Sequence, residues 1–136
     1  DLTPSSESAF AEALRIAKGC GAPMTILHAY NPGSIAGVGF VPAHLYDEWD
    51  QKIREGISEN LKRWIDRAAN EDVSAMPLIV AGFPDQAILE TAHRQGADLI
   101  VLGTHGRTGV PRLFLGSVAS RVVAESDCPV LTVRPA

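Results

Sequence analysis

Asp98-Leu99-Ile100-Val101-Leu102-Gly103 runs directly into Thr104-His105-Gly106-Arg107-Thr108-Gly109-Val110-Pro111-Arg112-Leu113-Phe114-Leu115-Gly116-Ser117. The first stretch is apolar without polar alternation, the mark of a strand hidden on both faces. After Ser117 the period changes. Val118, Val122 and Val123 then read as a helix over 117–125, and Pro129-Val130-Leu131-Thr132-Val133 is a second strand. Strand, loop, helix and strand in that order define a parallel pair joined by a right-handed crossover.

The same alternation extends toward the amino terminus. Ala87, Ile88 and Ala92 face inward on a helix over 84–95 that Gly96 closes, and Met76 to Ala81 is an apolar run ended by Gly82. Leu45, Trp49, Ile53, Ile57, Leu61, Trp64 and Ala68 recur at i, i+4 and i+3 steps, a long amphipathic helix. Gly56 weakens it locally by ~1 kcal/mol relative to Ala. Residues 31–43 hold Pro32, Gly33, Gly37, Gly39 and Pro42 and form a long connection after the strand Met24 to Tyr30. Thr3-Pro4 is a good helix start, with Phe10, Ala13, Leu14 and Ala17 on one face and Gly19 and Gly21 as the stop. The fold class is therefore α/β: a doubly wound, open parallel sheet, covered on both sides. One feature departs from the pattern. The chain opens on a helix where alternation calls for a strand, leaving four strands in place of five, so an N-terminal strand is expected upstream of residue 1.

At 136 residues the chain is one domain, 1–136. Its composition, 46% hydrophobic and 21% charged, is that of a globular protein rather than a disordered one. Twelve Lys+Arg against sixteen Asp+Glu leave a net charge of −4, which announces no basic face for nucleic acid. No apolar run approaches the ~20 residues that span a bilayer, and the first residues lack the regions of a signal peptide. Cys20 and Cys128 are far apart and form no CxxC, so both are expected to be reduced, buried thiols in a cytoplasmic protein.

Ligands of open parallel sheets bind beyond the carboxyl ends of the strands. The loop 103–117 lies at such an end, and its four glycines at 103, 106, 109 and 116 permit close backbone approach. Gly116-Ser117 falls at a helix start, where unpaired amides and the dipole favour an anion. From Leu99 to Ala124 there are three arginines, Arg107, Arg112 and Arg121, and no acid. Such a loop suits phosphate, but glycine turns with solvated arginines have the same sequence, so the loop alone does not decide. It contains neither a Walker P-loop nor a GxGxxG dinucleotide fingerprint.

The spacing Gly103-x2-Gly106-x9-Gly116-Ser117 resembles the G-2x-G-9x-G-[S/T] motif of the nucleotide-binding universal stress protein family. Gly-Thr-His-Gly after an apolar strand, Leu-Gly-Ser-Val-Ala, and Asp-Cys-Pro-Val-Leu-Thr-Val near the end are similar as well. So are Ile26-Leu27-His28-Ala29, Val80-Ala81-Gly82-Phe83-Pro84 and the opening Asp1-Leu2-Thr3-Pro4-Ser5. The resemblance covers essentially the whole chain. It implies an adenine nucleotide alpha-hydrolase-like sheet of five strands, a homodimer through the C-terminal strand, and ATP as ligand in stress-response regulation. By position, Gly103 and Gly106 would admit the ribose and phosphates, and Gly116 and Ser117 would cradle the phosphates. Ala29 would meet adenine through its backbone, Asp1 would hold the ribose or adenine end, and His105 and Arg107 would flank the phosphates. Mg²⁺ would arrive through the phosphates, since no carboxylate cluster offers a cage. No nucleic acid or membrane partner is implied.

Other residues have plainer readings. His28 is a strand histidine, His44 and His93 are solvated helix residues, and Trp49 and Trp64 are packing residues on one helical stripe. Arg54, Lys62, Arg63 and Arg67 form that helix's wet face. The start of the 117–125 helix explains Ser117 through capping and phosphate contact, and no Ser-His-Asp set or metal spacing can be assembled. Two other functions stay open: a slow ATPase or autophosphorylating enzyme, and a nucleotide-free interaction or scaffold protein. A receiver domain fits poorly, because Gly82-Phe83 occupies the region where its acidic acceptor belongs.

Overall fold

The computed structural model describes residues 2–32, 42–104 and 115–135. In chain order these form α1 (Pro4–Cys20), β1 (Met24–Tyr30), α2 (Ala43–Asn70), β2 (Ala75–Ala81), α3 (Pro84–Gln95), β3 (Ile100–Gly103), α4 (Ser117–Glu125) and β4 (Val130–Val133). Local chemistry sets most of the boundaries. Thr3 caps α1, its Oγ1 accepting from the Ser6 amide at 3.4 Å, and Pro4 takes the first helical position. Gly21 and Gly96 end α1 and α3 at φ 63° and 60°, a left-handed conformation that favours glycine. The third strand is shorter than the apolar run suggested, because Asp98 and Leu99 are exposed ahead of it.

Both strand pairs are parallel, β1 with β2 from Met24↔Ala75 to Tyr30↔Ala81 and β3 with β4 from Ile100↔Val130 to Gly103↔Val133. Among the described residues they form two separate two-stranded ladders, not one continuous sheet. The main core lies between α1, α2 and β1, where Phe10, Ile26, Ile57 and Leu61 are buried and Phe10 stacks on Trp64 with centroids 4.9 Å apart. Ala17, Ala68 and Val73 extend it at the far end. Ile100 of β3 is also buried, as are Ala87 of α3 and Ala119 and Val122 of α4, two helices that pack on each other.

Strands hidden on both sides were expected, and this needs correction. Met76 is 53% exposed, Pro77 is exposed too, and no residue of β4 is fully buried. A ladder of two strands has two edges and few neighbours, so its apolar residues find only partial cover. The cysteines also differ from expectation: Cys20 is exposed at the last turn of α1, where the helix leaves the core, and Cys128 is half-buried. Trp64 packs as read, whereas Trp49 is exposed near the start of α2. The wet face of α2 is wet only in part. Arg67 lies 4.8 Å over the Phe10 ring, and Arg54 bonds Asp50 at 2.8 Å while lying over Tyr30.

The alternation of backbone groups along a parallel ladder shows what the free edges offer. The Ile100 and Thr104 amides donate to the Pro129 and Val133 carbonyls, so 100, 102 and 104 face β4 and the backbones of Val101 and Gly103 face away. On β1 the Met24 amide donates to Ser74 and the Tyr30 carbonyl accepts from Gly82. Thr25, Leu27 and Ala29 therefore turn their amides and carbonyls to the unpaired edge. Helix α1 packs against both ladders.

Candidate functional site

The carboxyl end of β3 is where Gly103, Gly116 and Ser117 converge, while Ala29 lies on β1 in the other ladder. Gly103 is the last strand residue, and Thr104 after it is buried. The Gly116 amide donates to the Thr104 carbonyl at 2.8 Å, tying the start of α4 to the end of β3. From the other side the first turn of α1 presses on the same point. A Cβ built on Gly103 would stand 2.8 Å from the backbone carbonyl carbon of Ser5 and closer still to its hydroxyl. Two helix starts thus meet one strand end, and both place the positive end of a dipole there.

Helix α4 offers the more accessible of the two. Gly116 is its N-cap and Ser117 its first residue, and no side chain caps it. The Ser117 hydroxyl, read as capping, makes no cap bond, because it sits one position too late. The first intrahelical bond runs from the Ser120 amide to the Gly116 carbonyl at 2.8 Å. With the Gly116 amide committed to Thr104, the amides left without an intrahelical acceptor are those of Ser117, Val118 and Ala119. Gly116 itself is thus a spacer rather than a donor. Glu7 and Asp85 stand in the first turns of α1 and α3, whereas α4 has no acid there. Helix α2 also lacks one, but residues 31–42 separate it from its strand, while α4 is bonded directly to the end of β3.

Asp85 and Arg121 form the polar junction beside this start; Arg121 stood out in the sequence, but its pairing with Asp85 did not. Arg121 of α4 donates to Asp85 of α3 at 2.6 Å. The guanidinium is the largest influence holding the Asp85 carboxyl below its ordinary range, helped by the Asp85 and Gln86 amides. The acid-free character of 99–124 therefore holds along the chain but not in space, since Arg121 is already matched by an acid from 36 residues away. Because the pKa is depressed on folding, this pair stabilises the protein at pH values above the ordinary carboxylate range, and the contribution is lost as pH falls through the folded value. Asp85→Asn is expected to flatten the acid limb of a melting-temperature profile, from the ordinary carboxylate range downward. An unaltered limb would show that the pair does not report on folding.

Ala29 occupies the penultimate position of β1, with its backbone groups on the unpaired edge. A contact through its main chain is compatible with that orientation. His28 is buried beside it, and Tyr30 donates to Asp50, which Arg54 also holds. Desolvation first, then the bond to Asp50, pushes the Tyr30 phenol above its usual range. Asp1, His105, Gly106 and Arg107 lie outside the described residues. Among the described residues no group of three or more His, Cys, Asp or Glu stands together to hold a metal ion, and no helix is long and apolar enough to cross a membrane.

Parallel ladders flanked by helices, with helix-start amides gathered at a strand end, define the class: an α/β domain. Residues 1–134 match the model of the Universal stress protein family, and the chain belongs to that family. It is 33% identical to universal stress protein YxiE of Bacillus subtilis over 98% of this chain and 94% of the relative. The solved structure of MJ0577, a universal stress protein of Methanocaldococcus jannaschii, superposes with a TM-score of 0.88 at 25% identity, covering 98% of this chain and 90% of that one. A universal stress protein in complex with cAMP is similar at 28% identity and a TM-score of 0.69, covering 98% of this chain and 93% of that one.

Proposed function

We propose that this protein is an ATP-binding regulatory module of the stress response. The observation that carries the reading is the start of α4: three backbone amides without intrahelical acceptors, no acid in the first turn, and a bond fixing that turn to the end of β3. The relative solved with cAMP supports an adenine nucleotide as the ligand class. The triphosphate would lie on the Ser117–Ala119 amides, Gly116 giving room for its approach and Gly103 offering main chain at the strand end, and adenine would reach the main chain of Ala29. Asp1, His105, Gly106 and Arg107 complete the proposed contacts. Mg²⁺ would be carried on the phosphates, because the described residues supply no cage of their own.

Titration calorimetry with ATP, ADP and AMP tests this reading. Saturable binding that strengthens with phosphate number is expected, and no binding of any of the three would overturn it. Steady-state phosphate release with Mg²⁺ addresses the slow ATPase. Hydrolysis needs an oriented water and a base at the γ-phosphate, and the proposed role requires turnover slow enough for bound ATP to act as a signal.

We also propose a cytoplasmic homodimer through β4. Pro129 and Val133 face β3, so Val130 and Thr132 present their amides and carbonyls on the outer edge. An edge of this kind pairs with its copy about a two-fold axis. Thr132→Pro removes one outer donor and leaves the β3 ladder intact. It is expected to shift the protein from dimer to monomer in sedimentation velocity. A dimer of undiminished strength would direct the search to another surface.

The free edges of β1 and β3 support a further proposal on architecture. One more apolar strand, supplied upstream of residue 1, would pair with Thr25, Leu27 and Ala29 on one side and with Val101 and Gly103 on the other, joining both ladders into one sheet. Intact-mass and hydrogen-exchange measurements on the protein purified from its source test this. The proposal expects additional N-terminal residues and slow exchange at Leu27 and Val101, and an N-terminus at Asp1 would remove it.

A further inference from the structure

Arg121 follows Ser117 by four residues, so the two share one face of α4, a single turn apart. Long helical side chains lean toward the N-terminus, which brings the guanidinium back along that face toward the bare amides. It is nevertheless committed elsewhere, to the carboxylate of Asp85 at 2.6 Å. The Asp85 side chain is only 11% exposed, while that of Arg121 is 64% exposed. Water therefore does little to screen the acid, and its charge is balanced mainly by Arg121 and by the amides at the start of α3. Glu125, one turn further along α4, is the other acid whose field reaches Arg121.

This arrangement places a carboxylate beside the one helix start that would receive phosphates. Uncompensated, it would repel them, and salt would weaken that repulsion, the Debye length being ~8 Å at physiological strength. We propose that Arg121 is a specificity-determining residue that acts through Asp85: it neutralises the carboxylate and so keeps the start of α4 open to polyphosphate ligands, without itself touching them. The inference rests on the nucleotide-binding reading and deepens it. It makes the Asp85–Arg121 pair the element that sets how steeply affinity rises with ligand charge.

The test uses the full chain and three ligands of one scaffold: adenosine, AMP and ATP, titrated at low ionic strength. Arg121→Gln strips the shield and leaves the acid. Affinity is expected to fall roughly tenfold for ATP, about threefold for AMP and not at all for adenosine, as a charge effect demands. The double variant Asp85→Asn with Arg121→Gln, neutral at both positions, is expected to restore ATP affinity to within about twofold. Equal losses for all three ligands would make the pair a structural brace and overturn the proposal. Failure of the double variant to recover would overturn it differently, by showing that Arg121 contacts phosphate directly. If Arg121→Gln does not fold, Asp85→Asn alone serves: ATP is expected to bind about threefold tighter and adenosine unchanged, and unchanged ATP affinity would refute the shield. Absence of nucleotide binding by the unaltered protein is a separate result, because it removes the nucleotide reading and this proposal with it.

Discussion

Gly103→Val is expected to cost about 3 kcal/mol or more of stability and to lower the melting temperature by about 10 °C. The cause is the first turn of α1. A Cβ at this position would lie 2.8 Å from the Ser5 carbonyl carbon, and backbone cannot swing aside as the end of a flexible side chain can. The overlap begins at Cβ, so Gly103→Ala should be nearly as damaging as the valine variant. Adding Ser5→Gly removes the hydroxyl and Cβ that also overlap but leaves the carbonyl carbon, so about half of the lost stability should return. Thermal and urea melts of the single and double variants decide the matter. An alanine variant melting within about 2 °C of the parent would mean that α1 and β3 separate easily, and the closure of the site by two helix starts would then be wrong.

The role of Gly103 also shows where sequence reasoning stopped. Its place in the glycine spacing was legible, and so was its position at a strand end before a helix start. The presence of Ser5 above it was not, because nothing in the local pattern of α1 specifies where its first turn lands on a strand almost a hundred residues later. The elements themselves were readable for physical reasons. Thr3-Pro4, Gly21 and Gly96 are local caps whose conformations need no tertiary partner, and the stripe from Leu45 to Ala68 repeats long enough to fix helix and face together. Burial was read less well. An apolar run such as Met76 to Ala81 looks the same whether it has neighbours on two sides or one, and here the two ladders leave it half-covered. The charge pattern misled in a similar way. Glu125 is the acid nearest Arg121 in the chain, yet the partner that Arg121 bonds is Asp85, which reaches it from α3 across the packed helices.

Gly116→Val is expected to weaken ATP binding at least tenfold while the fold survives. Gly116 has φ −60° and ψ 157°, an extended conformation open to any L-residue, so glycine is not required there by the backbone. Its amide would still donate to the Thr104 carbonyl in the variant, and its carbonyl would still accept from Ser120. Valine is a poorer N-cap than glycine, which should cost about 1 kcal/mol and a few degrees of melting temperature. The affinity loss has a separate origin. A branched side chain at the N-cap stands directly ahead of the Ser117, Val118 and Ala119 amides and raises the distance at which phosphate oxygens can stop. Charge-assisted bonds of this kind need oxygen within about 2.7–2.9 Å of nitrogen, so a small displacement forfeits most of their strength. Tenfold corresponds to about 1.4 kcal/mol, less than one such bond contributes in a favourable setting. Calorimetric titration together with a thermal melt separates the two effects. A variant that melts near the parent and binds ATP with undiminished affinity would place the triphosphate away from the start of α4. Gly103 and Gly116 therefore answer different questions: the first tests whether α1 closes on the strand end, and the second whether the amides behind the spacer hold the ligand.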